Sequence, residues 1–265
     1  MTGAGVAAGS VAQVGRDSAL LAGRQLRVLR LNPGRLIYPL VQPVVLLVLF
    51  VSVLGNLALA RGAASGSYRQ FLIPGILIQN AALTAPSTGL GLLRDAGSGL
   101  ADRFRSLPMS RSAVLIGRLA ADALVFAAQA VLLLAAAALL GFRVHSGLPG
   151  LAAIVAVAVS FGLALAVISA WFALLIRDAE AAERVLYFPA IAVAFVSSAF
   201  APAGDLAGWM QPVARASPVT AAAGLIRSVA GSGPVATPLL HLALWVLGLA
   251  VVPGVLAVRR WQSSP

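Results

Sequence analysis

The sequence has no lysine and no cysteine, and only two histidines, His145 and His241. Each absence removes a chemistry. A Walker A loop sets a lysine on the phosphates of ATP, so no ATP site of that kind lies on this chain. A Schiff-base lysine is excluded in the same way. Without cysteine there is no disulfide, no thiolate nucleophile and no thiolate metal site. The two histidines stand far apart in sequence, so no metal ligand set is read and no cofactor is expected on the chain itself. Charge is scarce as well: 10% of the 265 residues are charged, against about 25% in a soluble domain. Neither a Ser/His/Asp constellation nor a pair of catalytic carboxylates emerges from so few groups.

What fills the chain is apolar. Hydrophobic residues make up 60% of it, and the mean hydropathy is +0.96. This composition predicts an all-α integral membrane protein with the lipid bilayer as its main partner. The net charge of +11 is carried by arginine alone. Those arginines sit at the ends of apolar runs and form no single basic face, so no nucleic-acid partner is expected. Arginine without lysine, beside heavy use of Ala, Gly and Val, reflects GC-rich codon supply and points to a bacterial source.

Residues 1–16 read as a disordered tail without the basic and apolar regions of a signal peptide. From Asp17 to Leu31, leucines alternate irregularly with Arg24, Arg27 and Arg30, as in a helix lying at the membrane surface with snorkelling arginine stems. A spanning helix needs about 20 apolar residues. The uncharged gaps predict six such spans, at about 37–58, 71–93, 112–141, 151–176, 185–201 and 239–258. An even number of spans puts both termini on one side. With the termini inside, fourteen arginines fall on inner segments and five on outer ones, which predicts cytoplasmic termini in a bacterial cytoplasmic membrane.

Two irregular segments stand between these spans. The first, Arg94 to Arg118, carries five arginines and two aspartates on the inner side. Gly97 and Gly99 break the preceding helix, Ser98 can cap a new one, and Asp102 suits the positive end of its dipole. Leu100, Phe104 and Leu107 recur at i, i+4 and i+7 and share a face beside Arg103 and Arg105. Pro108 stops the helix, and Ser110 can cap the next. The alternative is a solvated loop whose arginines only orient the protein. The second segment follows the fifth span on the outer side. Pro202 ends that span, Asp205 to Met210 predicts a short helix with Trp209 at headgroup level, and Ser217-Pro218 opens another through Val229. The pair predicts a re-entrant or interfacial hairpin, against the alternative of a plain outer loop.

Polar groups inside the spans are few. Asp122 lies one turn after Arg118 and can pair with it; the other reading is a proton or cation site. Gln42, Ser52 and Asn56 lie in the first span, Gln79, Asn80, Thr84, Ser87 and Thr88 in the second, and Ser197 and Ser198 in the fifth. In lipid such groups join helices or line a passage, and periodicity does not choose between the two. The Ala-rich third and fourth spans read as packing elements. Asp178, Glu180 and Glu183 with Arg177 and Arg184 read as a solvated inner turn.

At this point the residues resemble a known family. Asp102 to Arg111 (DRFRSLPMSR), then Gly117, Arg118, Leu119 and Asp122, is similar to the permease subunit of type-2 ATP-binding-cassette exporters, in the daunorubicin-resistance-like branch of actinobacteria. Phe71 to Gly75 and the run from Gly208 to Thr220 support the resemblance, which covers most of the chain after the tail. Many members carry a glutamate early in the cytoplasmic loop, where this chain has Asp95. The resemblance implies one ABC-2 type transmembrane domain over 17–265. In it, Leu100, Asp102, Arg103, Phe104, Arg105 and Leu107 form a coupling helix. It implies two copies of a separate ATP-binding subunit that hold ATP and magnesium, and a second permease, identical or homologous. The first, second and fifth spans would line the passage, which makes Gln42, Asn56, Gln79, Asn80, Thr84, Ser197 and Ser198 its candidate lining. Family substrates are amphiphilic drugs and lipids or glycolipids, moved outward. An ion-coupled secondary transporter would have only Asp122 to work with, and a membrane scaffold would leave the coupling helix unexplained.

Overall fold

The computed structural model describes residues 34–60, 65–97, 111–173, 175–176 and 178–263. The interfacial helix predicted at 17–31 and the coupling residues Leu100, Asp102, Arg103, Phe104, Arg105 and Leu107 lie outside the described residues. Within them the chain is helical. We number the helices α1 (Gly34–Ala60), α2 (Ser65–Thr84), α3 (Pro86–Gly97), α4 (Arg111–Leu139), α5 (Gly147–Ala173), α6 (Ala179–Phe195), α7 (Met210–Ala216), α8 (Pro218–Ala230) and α9 (Ala236–Ser263), with a short 3-10 turn at Ala203–Asp205. By length and composition three stretches can cross a membrane: Tyr68–Asp95, Leu115–Leu139 and Gly147–Ala173. Leu40–Gly55, Pro218–Ala230 and Ala236–Val251 are shorter apolar helices.

α5 is the hub. It packs against α2, α3, α4, α6, α8 and α9. Its sequence explains this position. It is apolar on every side, as a helix surrounded by others must be. Its buried positions are mostly small, including Gly150, Ala158, Gly162, Ala166 and Ala170, with Phe161 and Ile154 as the large exceptions. Small residues let neighbouring backbones approach, and close contact replaces the hydrophobic drive that lipid does not supply. A Cβ at Gly162 would run into the Phe126 ring of α4, and one at Gly89 of α3 would run into the Ser169 carbonyl of α5. The prediction that the third and fourth spans act as packing elements matches α4 and α5.

Three boundaries differ from the sequence reading, each for a local reason. The second span is two helices, α2 and α3, separated at Ala85. Pro86 lacks the N–H that would continue the helix. α6 begins six residues before the predicted span, because Asp178 caps it: the Asp178 carboxylate accepts from the N–H groups of Glu180 and Ala181 at 3.4 and 3.0 Å. The acidic cluster predicted as a solvated turn is thus the cap and first turn of a helix. Glu180 also meets Arg184 at 3.8 Å, an exposed pair that contributes little to stability. α6 then ends at Phe195, well before Pro202, and the short helix predicted over Asp205 to Met210 is displaced: the 3-10 turn lies before it and α7 starts at Met210. α8 spans nearly the predicted 217–229.

One end of the bundle is tied by polar bonds. Tyr68 at the start of α2 donates to the Phe200 carbonyl at 2.8 Å, and Arg69 donates to the Leu140 carbonyl at 3.3 Å. The α4–α5 loop closes the end of α8: the His145 N–H donates to the Ala230 carbonyl at 2.9 Å, and Ser146 donates to the Val229 carbonyl at 2.7 Å. The last two bonds take up carbonyls at the end of α8, which a helix terminus leaves without partners.

Candidate functional site

The polar groups of the second span serve two purposes, and Asn80 and Thr84 serve both. One set lines a groove of about 660 Å³ between α1, α2, α3 and α6. Gln42 comes from α1, Gln79, Asn80 and Thr84 from α2, Ser87 from α3, and Glu183 and Tyr187 from α6. Phe50, Ile76, Leu83, Ile191 and Phe195 supply its apolar wall. Four of the candidate lining residues, Gln42, Gln79, Asn80 and Thr84, are therefore brought together from two helices that are adjacent in space. Backbone at Asn56 is part of α1, while its side chain lies outside what is described. An apolar wall with a few placed amides and hydroxyls suits an amphiphilic ligand.

Ser197 and Ser198 are not on this groove. Both are buried in the segment after α6. Ser197 donates to the Ala194 carbonyl at 2.7 Å and accepts from the Ala199 N–H at 3.2 Å. The Ser198 N–H donates to Thr220 of α8 at 3.0 Å, and its carbonyl accepts from Arg227 at 2.8 Å. These two serines build the turn that carries the chain out of α6.

The second polar set joins helices. Gln129 of α4 is buried, at 2% exposure, and its side-chain oxygen accepts from Asn80 at 3.2 Å and from Thr84 at 3.3 Å. One helical turn and more along the same seam, Thr88 donates to Asp122 at 2.8 Å. Asp122 pairs with Arg118 at 3.5 Å, and Arg118 reaches across to Asp95 at 3.6 Å and donates to the Ser87 carbonyl at 3.3 Å. Gly91 makes this reach possible, since a Cβ there would occupy the guanidinium's place. Arg118 thus fastens the start of α4 to α3 on both sides of the 98–110 segment. Asp122 is the paired carboxylate of the two readings: its described partners are Arg118 and Thr88.

The break between α2 and α3 is supported from α5. Ser169 donates to the Pro86 carbonyl at 3.2 Å and accepts from the Gly89 N–H at 3.2 Å. An interrupted helix at membrane depth needs such a partner for its freed groups. Ser169 and Gln129 are each among the few polar residues of an apolar helix, a signal that the sequence carries. In the sequence Arg227 is one of the five outer arginines. In the fold its guanidinium donates to the carbonyls of Phe71, Ser198 and Ala199 at 3.0, 2.8 and 3.3 Å, and lies 3.7 Å from the centre of the Phe71 ring. It joins α8, α2 and the turn after α6. Among the described residues no cluster of His, Asp and Glu could hold a metal.

A family model described as ABC-2 type transporter matches residues 18–230. A probable doxorubicin resistance ABC transporter permease protein, DrrC of Mycobacterium tuberculosis, is 31% identical over 226 residues, which cover 85% of this chain and 81% of that protein. A daunorubicin resistance ABC transporter permease protein, DrrB1 of Streptomyces coeruleorubidus, is 28% identical over 236 residues, with 88% and 81% covered. The match runs through the groove, the Arg118 seam and helices α7 and α8 alike. The chain belongs to the ABC-2 type transporter family, as a membrane permease subunit of an exporter.

Proposed function

We propose that this permease moves an amphiphilic drug, or a lipid or glycolipid of similar build, outward along the groove between α1, α2, α3 and α6. The observation that carries the reading is the lining itself: Gln42, Gln79, Asn80 and Thr84 converge on one apolar-walled face. The relatives named for doxorubicin and daunorubicin resistance make planar amphiphilic drugs the first substrates to try. In this reading 17–265 form one membrane domain of six spans after the 1–16 tail, with both termini cytoplasmic in a bacterial inner membrane. Arginine asymmetry supports the orientation, and the tied end of the bundle, with the α7–α8 hairpin, faces outward. Two such permeases, identical or homologous, enclose the passage between them. ATP and magnesium bind two copies of a separate subunit, since the chain lacks the lysine of a P-loop. That subunit docks on Leu100, Asp102, Arg103, Phe104, Arg105 and Leu107.

The test is drug accumulation in a sensitive bacterium expressing the chain with its ATP-binding subunit. Ser87 is exposed and opens on the groove, and its side chain is not used in the Arg118 seam. Ser87→Trp should therefore leave membrane insertion normal while cellular daunorubicin rises to the level of cells without the exporter. Export that is unchanged by Ser87→Trp would move the passage elsewhere.

A further inference from the structure

A second groove, of about 800 Å³, lies between α8 and α9, away from the proposed passage. Two stripes with helical spacing face it: Thr220, Gly224 and Ser228 on α8, and His241 and Trp245 on α9, with Arg215 opening on it from the end of α7. We infer that this groove holds an anionic phospholipid of the bilayer, its phosphate on Arg215 and its chains along α9.

Charge complementarity selects the headgroup. The α7–α8 hairpin carries two arginines, and they differ. Arg227 is committed to three backbone carbonyls. Arg215 is exposed, its described bond is a 3.5 Å contact to Gln211 one turn back, and among the described residues no carboxylate pairs with it. A guanidinium with free donors binds phosphate through two parallel N–H bonds. The hydroxyls of Thr220 and Ser228 and the ring of His241 add polar contacts along the same wall. The tail end is selected by surface. Leu240 and Leu244 of α9 are 59% and 61% exposed, and Trp245 beside them is of the type favoured at headgroup level. His241 and Trp245 lie within the first three turns of α9, which starts at Ala236.

Gly224 supplies the means to block the site. A Cβ built there meets nothing within 4 Å, so the groove is open where a side chain would stand. Leucine at that position projects into the groove and also favours the helix. The inference rests on the reading that this end of the bundle meets lipid headgroups. Its readout is bound lipid on the isolated chain, so it stands or falls apart from drug export.

The experiment is native mass spectrometry of the full-length chain in neutral detergent, titrated with phosphatidylglycerol or with phosphatidylcholine of the same acyl chains. The wild-type chain should retain phosphatidylglycerol about tenfold better, the difference expected from one charge-assisted contact. Arg215→Ala should remove that preference and Gly224→Leu should remove retention of both lipids, each with an unchanged melting temperature. Arg143→Ala, an exposed arginine on the α4–α5 loop, should leave the preference intact. Equal retention of the two lipids by wild type, or wild-type behaviour of both Arg215→Ala and Gly224→Leu, would overturn the inference. So would displacement of phosphatidylglycerol by millimolar inorganic phosphate, which would make this a free-anion site.

Discussion

Arg227 brings a positive charge into the packed part of the molecule and meets only neutral groups there, the carbonyls of Phe71, Ser198 and Ala199 and the face of the Phe71 ring. A guanidinium can do this because its donors form a fixed planar fork and its face stacks on an aromatic ring. An ammonium is a single point with neither property. Arg227→Lys should therefore destabilise the protein almost as much as Arg227→Ala, by about 2–3 kcal/mol, because at least one buried carbonyl loses a charge-assisted bond. Thermal unfolding in detergent measures this; a lysine variant with the wild-type melting temperature would show that charge alone suffices. Gly75 belongs to the same joint. A Cβ at that position would run into the Ala199 backbone, so the turn after α6 sits directly on α2. None of this was legible beforehand. The sequence shows Arg227 as a charge between apolar residues, and its partners are backbone groups from segments 28 to 156 residues away.

Helices were legible where charge punctuates an apolar run, as at the ends of α4 and α5. The break in the second span was not, although Pro86 is plain in the sequence. Proline also stands inside α2 (Pro74), α6 (Pro189) and α9 (Pro253), and those helices continue. What distinguishes Pro86 is a partner elsewhere in the fold: Ser169 of α5 takes up the groups the break releases. Ser169→Ala should then cost about 1–3 kcal/mol, the penalty of leaving the buried Gly89 N–H unmet. Gly89→Val should cost more, since its side chain would push α3 off the Ser169 carbonyl. Melting temperatures in the order wild type, Ser169→Ala, Gly89→Val check both. Equal values for wild type and Ser169→Ala would mean that the break is held by packing alone. The candidate lining was half legible for the same reason. Polarity in the second span is visible, but that Asn80 meets both the groove and Gln129 depends on how α2 is rotated against α4.

At the scale of the molecule, composition shows the class: few charges and long apolar runs mark a membrane protein. Orientation is a prediction with its own test. Cysteines placed singly at Ser10, Ser232 and Ser264 should differ towards an impermeant thiol reagent on intact cells: only Ser232, in the turn after α8, should react. Reaction at Ser10 or Ser264 would reverse the topology. The central proposal is that the chain is driven from outside itself, through the coupling residues Leu100, Phe104 and Leu107 expected from the sequence. Truncating a central aromatic contact of an interface costs about 2 kcal/mol or more, roughly thirtyfold in affinity. The most direct measurement is ATP-dependent uptake of daunorubicin into inverted membrane vesicles. They should hold this chain alone, the chain with its ATP-binding subunit, or the Phe104→Ala chain with that subunit. Uptake should require both proteins and be lost in Phe104→Ala, with copurification weakened and the amount of chain in the membrane unchanged. ATP-driven uptake by the chain alone, or full uptake with Phe104→Ala, would contradict the account.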